Sequence, residues 1–117
     1  MKNEVIRRRI EEFPGGWLAG DFSPALLRSK ELEVSIKHFE AGSSEPEHYQ
    51  RSVTEITIVL IGRCLLAGEV LTTGDILIIP PLLSASFHAE TEVLLLVLKS
   101  PSAPEDKVVG QVGQDNE

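Results

Sequence analysis

An all-β domain, built as an antiparallel sandwich or barrel, is the fold class that this sequence predicts. Residues 33–40, 54–61, 76–80 and 92–99 are rich in Val, Ile, Leu and Thr, the side chains that suit a pleated, half-buried surface. Turn formers bound each run: Ala41-Gly42-Ser43-Ser44, Gly62, Gly68, Thr73-Gly74-Asp75 and Ser100-Pro101. Beyond residue 16 no apolar period near 3.6 residues recurs, so no helices separate these strands. Many short strands without intervening helices argue for antiparallel pairing rather than βαβ units.

The elements follow in chain order. Residues 3–13 predict a short helix: Asn3 can cap it, and Ile6, Ile10 and Phe13 fall near one face. Pro14-Gly15-Gly16 stops it. Residues 17–20, 63–67, 69–71 and 84–89 are shorter strand candidates. The polar stretch after Pro101, ending Gln-Asp-Asn-Glu, reads as poorly ordered. The expected organisation is an N-terminal segment over 1–16, a β domain over 17–101 and a partly disordered tail over 102–117. A length of 117 residues suits one such domain.

Charge and composition exclude several roles. Asp and Glu number 18 against 11 Lys and Arg, a net charge of −7, which disfavours nucleic acid and anionic membranes. The arginines at 7–9 therefore read as a solvated face. No apolar run approaches the roughly 20 residues of a membrane span. The opening residues lack the apolar stretch of a secretory signal, so a cytoplasmic protein is expected. Cys64 is the single cysteine, which rules out an intrachain disulfide and leaves a cysteine-based zinc site without ligands. It reads as a buried, inert thiol.

Alternation along the strands predicts a partner. In 54–61, Glu55, Thr57, Val59 and Ile61 take one face, and Ile56, Ile58 and Leu60 the other. In 92–99, Val93, Leu95 and Val97 oppose Leu94, Leu96 and Leu98. A sheet with one wet face would alternate apolar with polar. Something must cover the second apolar face, and a homodimer is the expected answer. The alternative is the N-terminal helix lying over it. In 33–40, His38 shares parity with Val34 and Ile36.

The segment His48-Tyr49-Gln50-Arg51-Ser52-Val53-Thr54-Glu55, with Gly42 before it and Gly62 after, resembles the first motif of the cupin superfamily. His48 fills the first histidine, Gln50 stands at the second, and Glu55 and Gly62 match the spacing. Gly74-Asp75-Ile76-Leu77-Ile78-Ile79-Pro80 resembles the start of the second motif. There Leu82 holds the place usual for glycine and Ala85 that of the last histidine. The resemblance implies a double-stranded β-helix, a jelly-roll barrel over 17–101, preceded by a short N-terminal helix or turn. It also implies a divalent metal held by three imidazoles and a carboxylate.

The residues speak against tight metal binding. His48 and Glu55 are the two remaining ligands of four, because an amide oxygen is a weak donor to late transition metals and Ala85 supplies none. The expected cofactor is none, or a weakly bound divalent metal on His48 and Glu55. His88 and His38 read as exposed or hydrogen-bonded. A carboxylate inside a barrel needs a partner, and His48 is the expected one for Glu55. Trp17 and Phe22 are expected to pack on the barrel or a dimer seam.

The function expected is binding of a small polar organic ligand by His48, Gln50 and Glu55, with no catalytic residue assigned. The alternatives are a divalent-metal-dependent enzyme of the dioxygenase or isomerase class, and an interaction module whose barrel is filled by side chains such as Leu82 and Leu83.

Overall fold

The computed structural model describes residues 3–112. Eleven strands form: β1 Trp17–Gly20, β2 Leu27–Arg28, β3 Glu33–Phe39, β4 Ser44–Gln50, β5 Thr54–Ile61, β6 Arg63–Leu66, β7 Glu69–Thr72, β8 Ile76–Ile79, β9 Ala85–Ala89, β10 Val93–Ser100 and β11 Lys107–Val109. They make a six-stranded sheet, β2-β1-β3-β10-β5-β8, and a five-stranded sheet, β11-β4-β9-β6-β7. Except for the β1–β2 pair, neighbours run antiparallel.

The all-β expectation therefore holds as a two-sheet jelly-roll-like domain, but the barrel does not. The hydrogen-bonded ladder never passes from one sheet to the other: β2 and β8 remain edges of the first sheet, β11 and β7 of the second. Closure needs long, tilted strands that pair around the whole circumference. Here β6, β7 and β8 have four residues each, and the chain changes sheet at turns instead. Between β5 and β6 the change falls at Gly62, whose φ of +108° favours glycine and whose α-carbon sits against the Glu92 carbonyl.

The expected N-terminal helix over 3–13 is likewise absent. Its place is taken by single 3-10 turns at Ile10–Glu12 and Pro14–Gly16. Of the apolar stripe Ile6, Ile10 and Phe13, Phe13 is buried while Ile6 is 72% exposed, too little packing to stabilise a helix. In the polar segment after Pro101 the structure has β11, paired with β4. The last five residues of the tail lie outside the described residues. Among the described residues no helix is long and apolar enough to cross a membrane.

The core lies between the sheets. Val59, Leu95 and Val97 from the first meet Cys64, Leu66, Ala85 and Phe87 from the second, and Phe39 stacks on Phe87 with ring centres 4.7 Å apart. Burial pushes the Cys64 thiol pKa up, and the Glu90 charge adds to this, as suits an inert core thiol.

Candidate functional site

Between the sheets, beside this core, lies a cavity of about 410 Å³. Its apolar wall includes Trp17, Phe39, Phe87, Leu95 and Val97, and its polar wall Glu33, Lys37, Glu45, His48, Glu55, Lys99 and Lys107. The inward face of the six-stranded sheet supplies most of the charge, in two cross-strand rows. Lys99 on β10 stands in register with Glu33 on β3 and with Glu55 on β5. Two residues along, Val97 pairs with Ser35 and Thr57. Glu33 is buried and accepts a hydrogen bond from the Ser102 hydroxyl at 2.9 Å. Glu55 accepts one from the Thr57 hydroxyl at 3.2 Å.

Lysine and tryptophan form the most distinctive part. Trp17 lies beneath two ammonium groups, with Lys37 Nζ 4.6 Å and Lys99 Nζ 4.9 Å from its ring centre. Such cation–π contacts each contribute about 0.5–2 kcal/mol, rising with desolvation. Lys37 Nζ also donates to the Gly15 carbonyl at 3.2 Å. Burial holds the Lys37 pKa below the usual lysine range. The Lys99 and Lys107 charges push it the same way, against Glu45 and Glu55. Phe22 meets Trp17 edge to face at 6.3 Å and joins it on the cavity wall.

The five-stranded sheet contributes through an irregularity. A register shift in the β4–β9 pair falls between Glu45 and His48, which lets residues three apart line the same cavity. His48 Nδ1 lies 3.2 Å from the Pro46 carbonyl. A carbonyl only accepts, so Nδ1 carries the proton and Nε2 is left as the basic nitrogen. The turn at 51–53 takes the chain to the facing sheet, which resolves the opposite parity of His48 and Glu55. Asp106 clamps that turn, accepting from Ser52 N at 2.8 Å, Ser52 Oγ at 2.7 Å and Val53 N at 3.1 Å. Burial by itself would raise the Asp106 pKa; these hydrogen bonds outweigh it and bring the carboxyl below its usual range.

Of the residues singled out in the sequence, His48 and Glu55 reach one cavity. The partners they take are the Pro46 carbonyl and Thr57, not each other. Gln50 is not on the cavity wall. It is 5% exposed, and among the described residues its Nε2 has no hydrogen-bond partner. His38 points outward, its Nε2 2.8 Å from Glu92, and His88 Nδ1 meets the Ser44 hydroxyl at 2.7 Å on an exposed face. Leu82 and Leu83 are exposed rather than filling the interior. Lys37, Lys99, Lys107, Glu33 and Glu45 belong to the cavity but escaped the sequence reading. The available signal was the Glu33-Ser35-Lys37 alternation within an otherwise apolar strand.

A metal does not fit this donor set. Ala85 pairs in register with His48, where a second donor would have to stand, and carries none. Among the described residues no group of three or more His, Cys, Asp or Glu could hold an ion.

No protein-family model and no curated protein matches the sequence. Solved structures do. An uncharacterised conserved protein with a double-stranded β-helix domain from Klebsiella pneumoniae is 16% identical at a TM-score of 0.68, with 95% of this chain and 96% of that one covered. An RmlC-like cupin from Shewanella frigidimarina is 28% identical at a TM-score of 0.59, over 66% of this chain and 71% of that one. A recombinant oxalate oxidase solved in complex with glycolate is 22% identical at a TM-score of 0.58, over 68% of this chain and 46% of that one. What these proteins share with the chain is the fold.

Proposed function

We propose that this chain, by its fold a member of the cupin superfamily, binds a small polar organic molecule between its sheets without a tightly held metal. The observation that carries this reading is a cavity of about 410 Å³ whose walls combine an aromatic and aliphatic surface with charged groups of both signs. Small-molecule sites typically have this volume and this mixture of apolar wall and few polar anchors. His48, Glu55 and Lys99 are the anchors, and Trp17 is the flat surface against which a ligand lies. Gln50 lies behind the wall and is not among the anchors. A similar structure that holds glycolate supports a ligand of modest size with oxygen acceptors.

The binder works as a homodimer. Two cross-strand rows, Val34–Leu98–Ile56–Ile78 and Ile36–Leu96–Ile58–Ile76, cover the outward face of four strands with aliphatic side chains. Ile76 is 60% exposed and Ile78 63%. A face this apolar and free of charge is complementary to a second copy of itself.

Thermal unfolding with a panel of small hydroxy acids, oxo acids and sugars tests the binding reading. A true ligand raises Tm with concentration, because it binds the native state alone. Glu55→Gln and His48→Ala should weaken that response while the unliganded protein still folds. No stabilisation by any compound, or an equal response in both variants, would remove the reading.

A further inference from the structure

We infer that the ligand is a zwitterion, an α-amino acid with an apolar side chain; this rests on the binding reading above. Lys37, Lys99 and Lys107 line the same cavity as Glu33, Glu45 and Glu55, so the two signs balance in number. Among the described residues, no ion pair joins one of these lysines to one of these glutamates. Lys99 stands in register between Glu33 and Glu55, and its ammonium lies over the Trp17 ring instead of meeting either carboxylate. Lys37 lies over the same ring and donates to the Gly15 carbonyl, contacts that favour its charged form. On the other side, Glu33 accepts from the Ser102 hydroxyl and Glu55 from the Thr57 hydroxyl. The ammonium and carboxylate groups are thus each anchored, and apart from one another.

Charges drawn out of bulk water cost free energy until each is matched. A ligand with a carboxylate alone would satisfy the lysines and be repelled by the glutamates. An amine would do the reverse, and a sugar would leave both signs unmatched. A ligand that carries both charges matches both sets. Spacing selects among such molecules. The strands of Glu33, Lys99 and Glu55 are direct neighbours, roughly 4.8 Å from one to the next. Opposite charges that close together suit an ammonium and a carboxylate on one carbon, not at the two ends of a long chain. The carboxylate faces Lys37 and Lys99, and the ammonium faces Glu33 and Glu55. The remaining substituent meets Phe39, Phe87 and Leu95, which form an apolar wall.

Calorimetric titration of the full-length protein near neutral pH tests this. Leucine is compared with its hydroxy-acid analogue, which lacks the ammonium, with isopentylamine, which lacks the carboxylate, and with glycine, which lacks the side chain. Leucine should bind at least about tenfold more tightly than each, the scale of one hydrogen bond to a charged group or of one buried aliphatic side chain. Glu55→Gln should weaken leucine more than the hydroxy acid, and Lys99→Met should weaken leucine more than the amine. A hydroxy acid, amine or glycine that binds the wild-type protein as tightly as leucine would overturn the proposal without needing any variant. Binding of hydroxy acids, oxo acids or sugars, with none of leucine, valine or phenylalanine, would also overturn it while leaving the binding reading intact. Absence of binding by every compound would remove both.

Discussion

The two faces of the six-stranded sheet differ in charge: the inward face sets charged groups beside its core aliphatics, and the outward rows are aliphatic. Beside the core residues Val59, Val93, Leu95 and Val97, its inward face holds Glu33, Ser35, Lys37, Glu55, Thr57 and Lys99; its outward face holds Val34, Ile36, Ile56, Ile58, Leu94, Leu96 and Leu98. An ordinary sheet turns its aliphatic side chains in and its charges out. Burying charge costs free energy unless it is paired, so stability alone would not select such a cavity. Exposing an aliphatic face costs solubility, so a free monomer would not select the outer surface. Both deviations make sense together if the inside holds a ligand and the outside holds a second subunit.

The largest effect is expected on the outward face. Leu96→Lys, at the centre of the aliphatic rows, should raise the dimer dissociation constant about a hundredfold, the scale of an interface hot spot. Sedimentation equilibrium checks this; a wild-type protein that is monomeric at every concentration would break the comparison. Next comes the clamp that holds His48 and Glu55 opposite each other. Asp106→Ala removes three hydrogen bonds to an ionised carboxylate and should cost about 2 kcal/mol in denaturant unfolding. Because the folded pKa of Asp106 is lowered, its stabilising contribution is present above the usual carboxylate value of 3.8 and is lost as pH falls through the folded value. The variant should lose less stability than wild type over that acid range.

On the inward face, Lys37→Met should stabilise the unliganded protein, by no more than about 1 kcal/mol given partial solvent screening. The unfolded chain titrates near the ordinary 10.5 and the folded chain lower. Between those values the unfolded state binds the extra proton, so wild-type stability rises with pH through that window. The variant should lack this rise. A destabilised Lys37→Met would mean that the lysine serves the fold rather than a ligand. The smallest effect concerns Leu82, which has φ of +65° and is 58% exposed. Glycine there relieves left-handed strain of about 1 kcal/mol, offset in part by backbone entropy, so Leu82→Gly should raise Tm slightly.

Much of this was legible in the sequence, for physical reasons. Strands such as Glu33–Phe39 and Val93–Ser100 announce themselves because β-branched and aliphatic runs end at turn formers. His48 and Glu55 could be found because their spacing is local. Leu82, which holds the place the resemblance gives to glycine, has a left-handed backbone. Lys37, Lys99 and Lys107 were not legible, since they converge from β3, β10 and β11 and no local spacing links them. His38 shares the parity of Val34 and Ile36, and because their face is the outward one it stands beside Glu92 at the surface. Whether the sheets close into a barrel depends on pairing and register between distant strands, which no single run encodes.

Trp17 is the sole tryptophan, and it forms part of the cavity wall beneath Lys37 and Lys99. Its fluorescence, titrated with small organic acids, therefore reports directly on occupancy between the sheets. We predict a saturable change in intensity or emission wavelength for at least one acid, weakened in Lys99→Met. A signal that stays flat, or drifts without saturating, across the whole panel would contradict the account.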